Sequence, residues 1–229
     1  MKASAQDNRA VDMALTALAK DAIAFGTPLP EVTKKQRSQL ALLGPLFREW
    51  NAKINVISRK DLDQFFVHHV LHSLAIARLL RPEPGARILD VGTGGGFPGL
   101  PLAILFPEAH FALCDSIGKK IKVVDAVTET LGLENVQGIW ARAEALTGEP
   151  AFDFVVSRAV TKMPLFIKWV RPLIADEHCH GLANGILYLK GGDLKEELSP
   201  IKEKVTSWDL SDVLAEPFFE TKKLIHVAL

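Results

Sequence analysis

One string constrains this chain more than any other: Ile88-Leu89-Asp90-Val91-Gly92-Thr93-Gly94-Gly95-Gly96-Phe97-Pro98-Gly99. A short apolar run ends on a carboxylate and passes directly into glycines. Glycine lets a backbone turn sharply and come close to a ligand. Pro98 suits the first turn of a helix, and a helix start offers free N–H groups. The string therefore predicts a strand, a ligand-holding turn and a helix. From Arg87 onward the same alternation continues. Strands are expected over 87–91, 110–115, 136–140, 152–157, 185–190, about 204–209 and 223–228. Helices are expected around 99–106, 118–131, 163–175 and 193–203. Strands separated by helices form parallel βαβ units, with a sheet covered on both faces. Such sheets bind ligands at the carboxyl ends of their strands, near the point where strand order reverses. The first and fourth strands are thus expected to carry the chemistry.

The residues before Arg87 follow another regime. Val11, Leu15, Leu18 and Ala22 recur at helical spacing, as do Leu40, Leu43, Phe47 and Trp50. A third helix fits 61–80, with Phe65, Phe66, Val70, Leu74 and Ala77 apolar. Arg81-Pro82-Glu83-Pro84-Gly85 is a strong breaker. It separates an expected helical extension, 1–84, from an α/β Rossmann-like domain, 85–229. The charges divide there too: residues 1–86 carry 12 basic and 8 acidic side chains, and the remainder 15 and 19. Net charge is zero over the chain, which excludes a globally basic nucleic-acid binder but leaves room for a local basic face. Cys114 and Cys179 form no CxxC pair, which argues against a disulfide scaffold or a cysteine zinc site. No signal peptide and no apolar run long enough to span a bilayer is evident. A soluble, cytoplasmic protein is expected.

Two templates fit the glycine loop. Gly94-x-Gly96-x-x-Gly99 matches the dinucleotide fingerprint, a weak signal alone. Asp90-x-Gly92-x-Gly94-x-Gly96 matches the pattern of S-adenosylmethionine enzymes. The second is favoured: it starts the glycines at the strand end, and it gives Asp90 a place to meet a cationic ligand. Asp115 follows Gly92 by 23 positions, near the offset of a ribose-binding acid; it also reads as a helix N-cap beside Ser116. Lys119 and Lys120 open the next helix. After the third strand, Arg142-Ala143-Glu144 stands where this fold usually edges an adenine pocket. Arg158 follows Phe154, Val155, Val156 and Ser157, so it leaves the core at a strand end, as Lys190-Gly191-Gly192 does on the fifth strand.

The loop string, continued by Leu100-Pro101-Leu102 and Phe106-Pro107, resembles the small-subunit (16S) ribosomal RNA guanine-N7 methyltransferases, also called the glucose-inhibited division protein B family. Further matches run in order: Trp50-Asn51 with Asn55, Asp115-Ser116 with Gly118-Lys119-Lys120, Arg142-Ala143-Glu144, Phe152-Asp153 with Ser157-Arg158-Ala159, and Leu189-Lys190-Gly191. They span about 36–192. The resemblance implies a class I methyltransferase fold, mostly parallel and seven-stranded, with a helical N-terminal extension. It implies methyl transfer from S-adenosylmethionine to N7 of one guanosine in a decoding-region loop of 16S rRNA. It places donor contacts at Gly92, Phe97, Ala143, Glu144 and Arg158, to which the loop pattern adds Asp90, Gly94 and Asp115. Arg142 and Lys190 sit on positions suited to RNA or the target base; Lys53, with Arg59 and Lys60, extends the basic set. The partner is the small ribosomal subunit, with no membrane, and a monomer is expected.

The chain departs from the family at two positions. Where the family usually reads Arg-His-x-x-Asp-Ser, this chain has His68-His69-Val70-Leu71-His72-Ser73. His68 stands for the arginine and His72 for the aspartate, so a carboxylate contact is lost or replaced. The two histidines are one helical turn apart, as metal ligands are, but no third ligand accompanies them. No metal is expected, and partly exposed helical positions are. Guanine N7 has a lone pair and no proton to lose, so no general base is required and none is identified. Catalysis reduces to proximity and alignment. Trp50 and Trp140 read most simply as core. Three alternatives stay open: another acceptor for the same donor, a nicotinamide dehydrogenase, and an RNA-binding module without turnover.

Overall fold

The computed structural model describes residues 2–19, 26–147 and 151–229, with Arg59 and Lys60 as backbone only. Ala22, one of the expected helix positions, lies outside the described residues. Among the described residues, seven strands form one sheet in the order β3-β2-β1-β4-β5-β7-β6. They are β1 (Arg87–Val91), β2 (His110–Asp115), β3 (Val136–Trp140), β4 (Phe154–Arg158), β5 (Gly185–Gly191), β6 (Val205–Asp209) and β7 (Lys222–Ala228). The first five run parallel, and β7 is antiparallel to both β5 and β6. Order reverses between β1 and β4, so their carboxyl ends face one crevice.

Alternation along the strands sorts the side chains onto two faces. Ile88, Leu113 and Val156 pack on one face against α5 (Gly99–Leu105), α6 (Gly118–Leu131) and the N-terminal helices. Leu89, Val91 and Val155 pack on the other, against Phe166 and Val170 of α7 (Met163–Val170). α6 ends on Gly132, whose φ of 61° permits a left-handed cap.

α1 (Ala5–Ala19) and α2 (Lys34–Lys53) form most of the extension. Thr33 and Gln36 close a capping box at the start of α2. Leu40, Leu43 and Phe47 are fully buried and share one apolar core with β1 and α5. Two glutamines fasten the layer: Gln36 donates to the carbonyls of Ile104 and Leu105, each at 3.0 Å, and Gln39 to that of Leu131 at 2.8 Å. These carbonyls end α5 and α6, where no intrahelical donor remains.

The helix expected over 61–80 is broken. α3 (Arg59–Leu62) is one turn, capped by Ser58. Phe66–Leu71 is a π-helix, followed by α4 (His72–Leu74) and a 3₁₀ turn over Ala75–Arg78. A π-turn swings successive side chains further than an α-turn and is frequent at functional sites. Two further helices are shorter than expected. α7 passes into a 3₁₀ turn at Arg171–Leu173, where Pro172 bars the α continuation; α8 is only Lys195–Leu198, with Pro200 just beyond.

Candidate active site at the carboxyl ends of β1 and β4

The chain turns immediately after β1. Gly92 and Thr93 both donate to the Cys114 carbonyl, at 2.8 and 3.0 Å. Gly92 and Gly94 have φ of 68° and 60°, which L side chains rarely adopt, and a Cβ on Gly92 would stand 2.4 Å from a Val160 methyl. Asp90 holds this turn rather than meeting a ligand. Its carboxylate is 0% exposed and accepts from Thr93 Oγ1 at 2.6 Å and Gly99 N at 2.8 Å. The expected encounter with a cationic ligand therefore fails, because the pleat at this position points the side chain under the loop. Burial raises its pKa to about 7, against the opposing pull of its two donors.

Asp115 is not the N-cap of α6, which is Ile117 with no side-chain cap, but it stands just before that residue. Its Oδ1 accepts from Ile117 N at 2.9 Å, at the approach to α6, and its Oδ2 from Gly94 N at 3.0 Å. Lys120 adds a cation 3.3 Å away. The side chain still lines a cavity of about 430 Å³, within the range of small-molecule sites. Gly92, Arg142, Ala143, Glu144 and Arg158 line it too. Cys114 is buried beside it, its thiol 3.3 Å from the Ala141 carbonyl, and burial pushes that thiol up to about 11.

Arg158 is the pivot of the site. Its guanidinium donates to the His68 carbonyl at 2.9 Å and to His69 Nδ1 at 2.8 Å, and stands 5.7 Å from the centre of the Phe97 ring. No carboxylate among the described residues lies within ion-pair distance of it. Desolvation lowers its pKa to about 10, and it stays cationic. His69, which receives its N–H, is pushed down to about 3 by burial and then by the Arg158 charge, so it is neutral with its proton on Nε2.

Several expected site residues stand elsewhere. The Phe97 side chain is buried behind the loop, 4.9 Å from Phe47 between ring centres, and Gly94 does not line the cavity. Lys190 is not a free cation: Nζ is 2.7 Å from Glu197 and donates to the Thr161 carbonyl at 2.8 Å. Lys53 lies at the end of α2, paired with Glu49 at 2.7 Å and 5.0 Å from the Trp50 ring centre. Arg142 is 73% exposed at the cavity rim, 3.5 Å from Glu144. Trp140 is not core: it is 74% exposed, its indole N–H donating to the Ser116 carbonyl, because it ends an outer strand above Gly118. His72 is buried at 4% exposure, not partly exposed, because the π-turn rotates it inward.

Sequence reasoning missed Tyr188, the one tyrosine of the chain. Its hydroxyl accepts from Val160 N at 2.7 Å and Thr161 N at 2.9 Å and donates to the Thr161 carbonyl. It thus ties down the turn after β4, where Ala159 has a φ of 53°. A non-glycine residue in that region is strained, and such strain gathers at functional sites. A lone hydroxyl within an apolar strand was the only signal available. At the opposite end of the sheet, Asp153, Cys179 and His180 have donor atoms within 4.8 Å of one another. His180 Nδ1 accepts from Glu83 N, which puts the ring proton on Nε2, 3.4 Å from Asp153. The Cys179 thiol stands 3.4 Å from the same ring nitrogen.

The sheet order and the loop–acid–arginine cavity define a Rossmann-like methyltransferase. The same fold appears in the structure of Pyrococcus horikoshii TYW2 in complex with MeSAdo, at TM-score 0.51 and 13% identity, covering 70% of this chain and 61% of that one. It appears also in a fibrillarin/Nop5p complex, at TM-score 0.52 and 12% identity, covering 69% and 79%. A family model described as rRNA small subunit methyltransferase G matches residues 36–224, further than the motifs alone reach. The ribosomal RNA small subunit methyltransferase G of Flavobacterium johnsoniae is 54% identical over 200 residues, 87% of this chain and 94% of that protein. Its counterpart in Flavobacterium psychrophilum is 56% identical over the same shares. The chain belongs to the rRNA small subunit methyltransferase G family.

Proposed function

We propose that this protein methylates N7 of one guanosine in the 16S rRNA of the small ribosomal subunit, with S-adenosylmethionine as donor. The carrying observation is the cavity between the Gly92 turn, Asp115 and Arg158, in a chain of this family. Its groups suit that donor: a carboxylate for a ribose diol, a wall without a side chain at Gly92, and a buried guanidinium without a carboxylate partner, ready for an amino-acid carboxylate. Asp115 holds the ribose, Ala143 and Glu144 edge the adenine, and Gly92 and Arg158 hold the methionine end. Asp90 and Phe97 act behind the loop, fixing its shape, while Gly94 fixes Asp115.

The bound donor supplies a methyl group on a positively charged sulfur. The chain's own task is to bring guanine N7 in line with that methyl and to exclude water. Because N7 carries no proton, no side chain has to act as a base. Arg142 at the rim and Lys53 on α2 meet RNA phosphates; Lys190, already paired with Glu197, forms wall rather than phosphate contact. The helical extension, 1–84, serves the catalytic domain, 85–229, by placing the π-turn beside Arg158. We read the working protein as a cytoplasmic monomer.

The test incubates the protein with radiolabelled S-adenosylmethionine and small subunits from cells lacking the enzyme, then maps the modified base. Label at N7 of a single 16S guanosine is expected. Donor binding with no label in RNA would overturn the acceptor and leave the fold and donor site standing.

A further inference from the structure

A second cavity, of about 280 Å³, adjoins the first, and Arg158 and Ala159 line both. It is smaller than the first. Asp61, His68, His72, Phe218, Lys190 and Lys222 line it. Asp61 Oδ1 lies 2.9 Å from His68 Nδ1, and Ser58 donates to the other carboxylate oxygen at 2.5 Å. A carboxylate in that position keeps the ring proton on Nδ1 and leaves the Nε2 lone pair as an acceptor. Phe218 stacks on the His68 ring, 4.0 Å between centres and 18° from parallel. His72 is buried, and neither of its ring nitrogens has a hydrogen-bond partner among the described residues. Burial, then the Arg158 charge, holds it well below the usual histidine range, so it is neutral and one nitrogen is an acceptor. Buried polar atoms in native proteins have partners, so two unpaired ring nitrogens beside a cavity call for one.

We propose that this cavity holds the target guanine, with its N1–H and N2–H₂ edge donating to His68 Nε2 and to His72 and its ring edged by Phe218. This rests on the reading of the preceding subsection. Guanine places two adjacent donors on that edge, whereas adenine places a donor beside an acceptor. N7 lies on the far side of the purine, so a grip on the N1–N2 edge leaves N7 free toward the wall shared with the donor cavity. In the transfer, the N7 lone pair forms the N–CH₃ bond and the C–S pair stays on sulfur. The positive charge thereby moves from donor to purine, and no proton is lost. The N1–H and N2–H groups become stronger donors as the charge arrives, so bonds to His68, with Asp61 behind it, tighten in the transition state.

The test compares small subunits reconstituted with guanosine or inosine at the target position, inosine lacking the N2 amino group. Wild-type protein is expected to favour guanosine in kcat/KM by about 5- to 150-fold, the range for one recognition contact. His68→Leu and His72→Leu are expected to lower kcat on guanosine, and at least one of them to bring the guanosine-to-inosine ratio close to one. S-adenosylmethionine affinity, measured by calorimetry, serves as the folding control. Should the leucine variants fail to bind the donor, the partly exposed Asp61→Asn takes their place, with a lower kcat and a narrowed ratio expected. Variants that bind the donor normally and keep the wild-type ratio would overturn the assignment. A wild-type protein that methylates neither subunit would overturn the parent reading instead, and the assignment with it.

Discussion

The Arg158 guanidinium donates to the main-chain carbonyl of His68, 90 residues earlier in the chain, at 2.9 Å. One bond thereby joins the end of β4 to the π-turn of the N-terminal helical region, beside the cavity that Gly92 and Asp115 line. Arg158→Lys keeps a charge but loses the planar fork that reaches both His68 and His69. The variant is expected to bind S-adenosylmethionine about 10- to 150-fold more weakly, the loss of ~1.5–3 kcal/mol in charge-assisted hydrogen bonds. Calorimetry measures the affinity. Hydrogen exchange over 66–72 is expected to quicken, and unchanged exchange there would separate donor binding from the bond to His68.

Asp90 makes stability depend on pH. Its folded pKa, about 7, lies above the ordinary 3.8. Between those values the folded protein binds more protons than the unfolded chain, so stability from this group is full below about pH 4 and lost as pH rises through 7. The whole shift corresponds to about 4 kcal/mol at most. Asp90→Asn retains an acceptor for Gly99 and does not titrate. Its urea midpoint is expected to gain on wild type from about pH 4 to pH 7 and to hold a constant lead above that. Parallel pH profiles for the two proteins would refute this.

Ala159 separates strain from function. Ala159→Gly relieves the left-handed backbone but loosens the unfolded chain, so its stability is expected within about 1 kcal/mol of wild type. Ala159→Val adds a branched side chain at φ 53° and is expected to cost about 1–3 kcal/mol. Denaturant titration reads both. Turnover is expected to fall several-fold in Ala159→Gly because the wall between the two cavities becomes mobile.

Arg142 is exposed at the rim of the donor cavity, with a long contact to Glu144. Arg142→Ala is expected to weaken RNA binding and to reduce the slope of log affinity against log salt by about 0.7–0.9, one phosphate contact. Donor affinity is expected to stay within about twofold. An unchanged salt slope would remove Arg142 from the RNA-facing surface.

Gln39 caps α6 from a distance, through the Leu131 carbonyl. Gln39→Leu leaves that buried carbonyl unpaired and is expected to destabilise the fold by about 1–3 kcal/mol. Thermal unfolding measures this, with donor affinity at low temperature unchanged.

The order of strands and helices was legible because alternation and turn chemistry are local. Asp90, Gly92 and Gly94 mark the end of β1 in any reading, and Asp115 marks the end of β2. What those side chains then do was less legible. Asp90 looks like a ligand contact from the loop pattern and Phe97 from the family resemblance, yet pleat and packing point both under the loop. Lys190 looks like a free cation until Glu197, on a separate short helix, is brought beside it. Trp140 reads as core by residue type, yet the outer position of β3 leaves it exposed. The break over 61–80 carried no glycine or proline to announce it, since a π-turn is a change of register and not of composition.

The sequence by itself determined the α/β alternation, the glycine turn that follows β1 and the family to which the chain belongs. All three depend on short-range pattern: residue type against strand pleat, helix period and positive φ. Only the tertiary structure decided which side chains share a cavity. Arg158 and His69, 89 positions apart, meet at 2.8 Å, and Tyr188 reaches the turn at Thr161. Such meetings are set by how the helical layer docks on the sheet, through buried area and the few donors that reach unpaired carbonyls. Neither is encoded in any window of adjacent residues.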